Sequence, residues 1–198
     1  MASAPPATKQ DLETAHLLAD AARDVALPLF RSRALATESK ADTRFDPVTE
    51  ADRAIEARMR EILAERHPDD GIVGEEHGIV TGSSGRAWVI DPIDGTRAFI
   101  SGLPVWGVLI GLRHYEGAVE HGRSILGILD QPYTGERFVG TASGGERRAE
   151  LHRGAQMTPL GVRPCAALEA ATLMCTTPAL FEGNGERAAY DRVENAVR

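Results

Sequence analysis

The strongest constraint on the fold is a change of hydrophobic pattern at Gly71. Before it, apolar residues recur every three or four positions from Asp11 to about Arg33 and from Thr49 to His67, which predicts two amphipathic helices. After it, short apolar runs separated by Gly, Asp and Pro predict strands at residues 72–73, 88–90, 105–112, 124–129 and 137–139. A pair of helices followed by consecutive strands favours an α+β fold over repeated βαβ units.

Composition and charge limit the kinds of protein that this chain can be. With 198 residues, 42% of them hydrophobic and 26% charged, the chain has the make-up of a globular protein with room for a core. The net charge of −7 argues against a nucleic-acid partner, which normally needs a basic face. The sequence shows neither an apolar stretch of membrane-spanning length nor a secretory signal pattern. Two cysteines are too few for a disulfide framework, so we predict a cytoplasmic protein with reduced thiols.

The segment Trp88–Phe99 has the richest chemistry in the chain. It delivers two aspartates, Asp91 and Asp94, from an apolar run to a turn at Gly95 and Thr96. Carboxylates are ligands of Mg²⁺, which often shares its coordination shell with phosphate oxygens. The amides of a helix that begins at this turn would bind an anion. The alternative is a plain strand end, since Asp-Pro and Asp-Gly are common turn formers.

Two further acidic sites precede this segment. Glu75 and Glu76 follow the short apolar run at residues 71–74, and Asp52 lies where the second helix begins. Asp52 and Thr49 also suit ordinary capping of a helix N-terminus, which is the favoured interpretation for Thr49. Acidic residues at three places along one chain favour a metal site over an isolated turn.

Three spaced motifs carry a family resemblance. Residues 46–52 (Asp-Pro-Val-Thr-Glu-Ala-Asp), 74–76 (Gly-Glu-Glu) and 91–96 (Asp-Pro-Ile-Asp-Gly-Thr) resemble the inositol monophosphatase superfamily of Mg²⁺-dependent phosphatases. Residues 97–112 and 129–138 resemble its histidinol-phosphatase branch. The resemblance implies a layered αβ sandwich of the inositol monophosphatase/carbohydrate phosphatase type, in which helices cover an antiparallel sheet and the second domain is truncated.

The resemblance also implies a division of the chain. We expect a disordered tail at residues 1–9, an N-terminal α+β metal-binding domain at residues 10–153 and the start of an incomplete C-terminal αβ domain at residues 154–198. This last part would include a buried strand at residues 170–177. Members of the family carry a further aspartate ligand of the second metal in a motif that is not found after Thr177.

In the arrangement that the family implies, these residues form a two-metal site. The first Mg²⁺ would be bound by Glu75, Asp91 and the carbonyl of Ile93, and a second by Asp91 and Asp94. Two or three Mg²⁺ ions are therefore expected as cofactors. The catalytic residues implied are Asp52, Thr96 and Glu75, with Thr96 and Asp52 orienting the attacking water, and the phosphate would rest on the amides of Gly95 and Thr96.

Four more residues are weaker candidates for contact with metal or substrate. They are Lys40, Glu76, Thr176 and Thr177. The alternative for Lys40 is a solvated loop position, because lysine is mostly exposed. The alternative for the two threonines is an ordinary strand end.

The implied function is a Mg²⁺-dependent phosphomonoesterase. The resemblance implies histidinol phosphate as the substrate, in histidine biosynthesis, and a homodimer with no nucleic-acid or membrane partner. Inositol 1-monophosphate or a related sugar or nucleotide phosphate is the alternative substrate, since the metal ions contact only the phosphate. A second alternative is a catalytically impaired chain that acts only as a metal- and phosphate-binding module. Because the downstream metal ligand and the second domain's part of the substrate pocket are not found, we also expect the 198-residue chain to hydrolyse histidinol phosphate far more slowly than a version extended through the second domain.

The remaining polar residues show no metal-site spacing. The six histidines are scattered, so surface positions are expected for all of them. Arg147, Arg148, His152 and Arg153 form a small basic cluster that is expected at the tip of a hairpin. Trp106, which heads an apolar run, is expected in the core or in a subunit contact.

Overall fold

The chain divides into two compact units, Met1–Leu160 and Gly161–Arg198. The computed structural model describes residues 5–32, 37–39, 47–119, 122–143, 145–183 and 185–197. Within these residues the first unit contains the helices α1 (Lys9–Leu29), α2 (Glu50–Arg66) and α3 (Thr96–Ile100). The second unit contains α4 (Glu186–Glu194) and the 3-10 turns Leu168–Ala170 and Pro178–Leu180. None of the described helices combines the length and the apolar composition that a membrane span requires.

A large mixed sheet dominates the first unit. The described strands are β1 (Thr37–Ser39), β2 (Pro47–Thr49), β3 (Gly71–Gly74), β4 (Gly78–Val80), β5 (Arg86–Asp94), β6 (Gly107–His114), β7 (Arg123–Gln131), β8 (Glu136–Ser143), β9 (Glu146–Arg153) and β10 (Gln156–Pro159). The eight-stranded sheet has the order β10-β9-β8-β7-β6-β5-β3-β4, and β1 pairs with β2 alone. Adjacent strands in the eight-stranded sheet are antiparallel, except for β3 and β5, which are parallel. The predicted α+β class is confirmed.

The core lies between the two long helices and the sheet. α1 packs against α2 and β6, and α2 packs against β5. The apolar stripes predicted for both helices are buried, including Leu18 on α1 and Ile55 and Met59 on α2. On the sheet side, Trp88 and Leu112 are fully buried. Each such large side chain contributes about 1.5–3 kcal/mol through its removal from water, so this layer holds β5 firmly in place.

The first helix begins earlier than the sequence predicted. Thr8 is its N-cap: the Thr8 hydroxyl accepts a hydrogen bond from the Asp11 amide at 3.1 Å, and the Asp11 carboxylate accepts one from the Thr8 amide at 2.7 Å. This reciprocal capping box satisfies two amides that lack helical partners. The helix therefore includes Lys9, the last residue of the predicted disordered tail.

Asp11→Asn is expected to make the free energy of unfolding depend less strongly on pH in the acidic range. Burial raises the pKa of the Asp11 carboxyl, but hydrogen bonds from Thr8 and Arg86 outweigh burial and hold that pKa below its ordinary value. A lowered folded-state pKa stabilises the protein above about pH 4, the pKa of an unfolded Asp, and this contribution is lost as the pH falls through the folded-state pKa. Denaturant unfolding of both proteins should show a difference in the free energy of unfolding that shrinks below about pH 4. A difference that stays constant with pH would contradict this.

The charged strand β9 is not among the predicted strands, and the position predicted for the basic cluster is wrong. Arg147, Arg148, His152 and Arg153 lie within β9, which pairs with β8 and β10, and not at a hairpin tip. Most of this strand is exposed, so its sequence lacks the apolar alternation that marks a half-buried strand. Cross-strand ion pairs such as Arg153 with Glu136 stabilise it instead.

Two other expectations are corrected. Residues 170–177 do not form a buried strand: a 3-10 turn ends at Ala170, and the following residues are irregular and largely exposed. Strands need hydrogen-bonded partners, and the described part of the second unit offers no strand to pair with. His67 is not a surface residue, because its side chain lies 3.0 Å from the Thr14 hydroxyl and packs against the Trp88 ring at 5.1 Å between centroids.

Candidate metal centre

A bulge at the end of β5 positions the two aspartates. Asp91 pairs with Leu109 on β6 and Asp94 pairs with Gly107, so β5 has one more residue than β6 in this interval. Pro92, which has no N–H to donate, lies inside the bulge. Bulges bend a strand and redirect its side chains, and here the bend brings both aspartates to the exit of the strand.

The turn after the bulge is firmly anchored. Gly95 has a left-handed conformation, with φ of 85°, and is the N-cap of α3. The Thr96 hydroxyl donates a hydrogen bond to the carbonyl of Ile93 at 3.1 Å. One turn further on, Phe99 is fully buried and meets the Trp106 ring edge-on at 4.8 Å between centroids. Trp106 is thus a core residue, one of the two places predicted for it.

Asp91 is the electrostatic centre of an acidic group that it forms with Glu75, Asp94 and Asp52. Its Oδ1 atom is buried and has no hydrogen-bond partner among the described residues. Burial raises the pKa of Asp91 to about 7, and the negative charges of Glu75, Asp94 and Asp52 contribute in the same direction. Four carboxylates from three separate places in the sequence therefore interact electrostatically.

This environment fits a divalent cation. In the described part of the chain, no three His, Cys, Asp or Glu side chains meet at one point as a ready-made metal site. The fit rests instead on Asp91, whose buried carboxylate oxygen has no hydrogen-bond partner within the described part of the chain and lies near other negative charges. A positive ion stabilises such an oxygen most directly. An all-oxygen donor set is also the set that Mg²⁺ prefers.

A buried glutamate that the sequence analysis did not single out holds the turn next to Asp91. Glu56 on α2 is completely buried, and its carboxylate accepts hydrogen bonds from the amides of Glu76 at 2.7 Å and His77 at 3.0 Å. Arg60 donates to the same carboxylate at 2.8 Å. A glutamate four residues after Asp52, on the apolar stripe of a helix, was the signal that could have revealed it.

The other predicted residues fall in different places. Asp52 lies in the first turn of α2 and is 3% exposed. Lys40 lies outside the described residues, so its role stays a prediction. Thr176 and Thr177 belong to the second unit, where the Thr177 hydroxyl accepts a hydrogen bond from the Ala179 amide at 3.3 Å and caps a 3-10 turn.

The whole sequence can be compared with models of known protein families. The model of the inositol monophosphatase family matches residues 8–186, a span that includes every described residue of the acidic group. The chain belongs to the inositol monophosphatase family. The match confirms the family predicted from the three motifs.

Three relatives place the chain within this inositol monophosphatase family. Over 168 residues it is 40% identical to a histidinol-phosphatase of Chlorobaculum parvum, covering 84% of this chain and 58% of that protein. Over 159 residues it is 39% identical to a histidinol-phosphatase of Mycobacterium tuberculosis, covering 79% of this chain and 58% of that protein. An inositol monophosphatase from Zymomonas mobilis superposes with a TM-score of 0.76 at 40% identity, covering 98% of this chain and 68% of that one. The chain thus spans a little over half the length of the two curated relatives.

Proposed function

We propose that this protein is a Mg²⁺-dependent phosphomonoesterase that hydrolyses histidinol phosphate in histidine biosynthesis. The observation that carries the proposal concerns Asp91: one of its carboxylate oxygens is buried without a hydrogen-bond partner among the described residues, and three other carboxylates lie near it. The names of two relatives at about 40% identity support the choice of substrate.

The proposed metal ligands are Glu75, Asp91, Asp94 and the carbonyl oxygen of Ile93. That carbonyl accepts a hydrogen bond from Thr96, and a carbonyl oxygen has two lone pairs. We propose two or three ions, with Asp91 shared between two of them. Mg²⁺ at this place would supply positive charge for the phosphate oxygens and would lower the pKa of a coordinated water.

The remaining roles belong to the turn and to α2. The amides of Gly95 and Thr96 would donate hydrogen bonds to phosphate oxygens, because amides that open a helix lack partners within it. The Thr96 hydroxyl donates a hydrogen bond to the carbonyl oxygen of Ile93, so its own oxygen can accept a hydrogen bond from a water molecule. The Asp52 carboxylate would accept a hydrogen bond from the other O–H of that water and so fix its orientation.

Phosphate release from several monoesters tests the substrate. We expect turnover that requires Mg²⁺, is abolished by a chelator, and has a kcat/KM for histidinol phosphate at least about tenfold above that for inositol 1-phosphate, a difference of about 1.4 kcal/mol. The Zymomonas mobilis structure makes inositol 1-phosphate the second candidate. Faster hydrolysis of inositol phosphate would overturn the substrate. Mg²⁺-dependent phosphate binding without turnover of any ester would favour a binding module.

Gly95→Ala is expected to weaken phosphate binding by about tenfold, or ~1.4 kcal/mol. The φ of 85° at Gly95 is costly for a residue with a Cβ, and that Cβ would lie 3.1 Å from the Val105 carbonyl oxygen. The turn must therefore shift. Gly117→Ala is the matched control, since Gly117 has a φ of 84° with open space around it.

Both variants should lose stability by about 1–2 kcal/mol, but only Gly95→Ala should change the phosphate affinity, measured by calorimetric titration with inorganic phosphate and Mg²⁺. Equal phosphate affinity in the two variants would rule out the proposed role of the turn.

A homodimer in the cytoplasm completes the proposal. Leu103 and Val105 are 54% and 68% exposed in the loop before β6, and exposed apolar neighbours favour a subunit contact. The two free cysteines suit a reducing compartment. Light scattering should give twice the chain mass of 21.3 kDa, and replacing both loop residues by serine should lower it. A monomer mass across the micromolar range would contradict the dimer.

A further inference from the structure

We infer that Glu56, braced by Arg60, is a positioning residue that sets the place of Glu75 relative to Asp52. This inference rests on the proposed metal centre and names residues outside the three motifs at 46–52, 74–76 and 91–96. Glu56 touches neither metal nor substrate in the proposal. It acts through the backbone of the turn that follows β3.

The turn between β3 and β4 is bonded to the side chain of a helix. Glu56 accepts hydrogen bonds from two consecutive amides, those of Glu76 and His77. These are the two residues directly after Glu75, so the buried carboxylate fixes the backbone that carries the proposed ligand. Hydrogen bonds to an ionised acceptor are shorter and stronger than neutral ones, which suits a device that must resist movement.

Arg60 braces Glu56 from the next turn of α2. Its Nε donates to the Glu56 carboxylate at 2.8 Å, and its Nη2 donates to the Gly78 carbonyl at the other end of the turn. A buried carboxylate without a partner would be costly, so this ion pair keeps Glu56 charged in place. The ion pair is thus hydrogen-bonded to the backbone at both ends of the turn.

Gly74 shows how closely the helix approaches the turn. A Cβ built there would lie 2.1 Å from Oε1 of Glu56 and 2.7 Å from Nη2 of Arg60. Only a residue without a side chain leaves room for the ion pair at this point. The glycine before the two glutamates thus has a structural reason that involves Glu56.

Asp52 and Glu56 lie four residues apart on α2 and therefore share one face of the helix. Asp52 is one of the proposed water-orienting groups, and Glu56 holds the turn of Glu75. A single rigid helix thus sets the spacing between two parts of the acidic group that are more than twenty residues apart in the sequence. Residues that orient metal ligands typically contribute about 10- to 100-fold to metal affinity.

Magnesium affinity of the full chain, measured by calorimetric titration, tests the inference. For Glu56→Gln we expect an affinity about 10- to 100-fold lower, together with faster hydrogen exchange at the amides of Glu76 and His77. Asp11→Asn is the matched control, because Asp11 is also a buried carboxylate bonded to an amide and an arginine, but contacts Arg86 at the opposite end of β5. That control should lose stability while keeping the Mg²⁺ affinity of the wild type.

Arg60→Gln separates positioning from charge. Removing this cation makes the site more negative, so a charge effect alone predicts tighter Mg²⁺ binding. Loss of the brace predicts weaker binding, by at least about threefold on the scale of such orienting contacts. Arg60 is partly exposed, so this variant also decides the question if Glu56→Gln does not fold.

Two outcomes overturn the inference: a Glu56→Gln affinity within threefold of the wild type, or tighter binding by Arg60→Gln. Both leave the proposed function standing if the wild type binds Mg²⁺. A wild-type chain that binds no Mg²⁺ at millimolar concentration removes the metal centre itself, and the positioning role falls with it.

Discussion

Asp91→Asn should lower both Mg²⁺ affinity and kcat/KM more than any other single substitution in the acidic group. The expected loss of kcat/KM is at least about a hundredfold, equivalent to about 2.7 kcal/mol. Asp91 is the residue whose oxygen is buried without a partner among the described residues, and it is proposed to touch two ions. An amide of the same shape removes the charge that neutralises both cations and presents N–H groups where a ligand oxygen is needed.

Three controls give this result its meaning. Asp94→Asn should have a smaller effect, because Asp94 is exposed and is proposed to contact one ion. Asp24→Asn, an exposed residue on α1, should change nothing. In chelator, Asp91→Asn should be no less stable than the wild type, since it relieves repulsion from Glu75, Asp94 and Asp52. Unchanged Mg²⁺ affinity in Asp91→Asn would refute the shared ligand.

The sequence predicted the strand, turn and helix start around Asp91 better than it predicted the edges of the sheet. The segment around Asp91 combines a buried strand, two turn-forming dipeptides and a helix start, and each feature has a local physical cause. The two long helices were equally clear, because their apolar stripes repeat with the helical period. Strand β9 could not be found in this way, because its exposed, charged side chains are held by pairing with β8.

Two failures came from interactions between distant parts of the chain. Glu56 lies in the apolar stripe of α2, where periodicity marks only a helix face, and its partners Glu76 and His77 are about twenty residues away. Residues 170–177 have the composition of a strand, but composition does not supply a neighbouring strand to pair with. Tertiary contacts decided both cases: a glutamate on an apolar stripe marks Glu56 as unusual, but no local pattern identifies its partners.

A buried ion network joins α1 to the sheet at Asp130. This aspartate on β7 is fully buried and accepts hydrogen bonds from Arg23 at 2.9 Å and Arg137 at 2.7 Å. Burial lowers the pKa of Arg137, but its hydrogen bonds with Asp130 and Asp20 raise that pKa above its ordinary value. The charges of the network are therefore stable only together, and the loss of one leaves the others in a poorly solvated place.

Asp130→Ala should be the most destabilising of the substitutions considered, by about 3–5 kcal/mol, because it leaves the largely buried Arg137 short of a partner. The thermal unfolding midpoint should fall by roughly 6–20 °C. Glu61→Ala is the matched control: Glu61 forms an ion pair with Arg58 at 2.8 Å, but both side chains are more than half exposed, so the change should be within about 0.5 kcal/mol. Since both substitutions remove a carboxylate that is paired with an arginine, the difference between the two losses of stability measures the effect of burial. A loss below about 1 kcal/mol for Asp130→Ala would mean that water or a rearranged Arg23 takes over the role of the carboxylate.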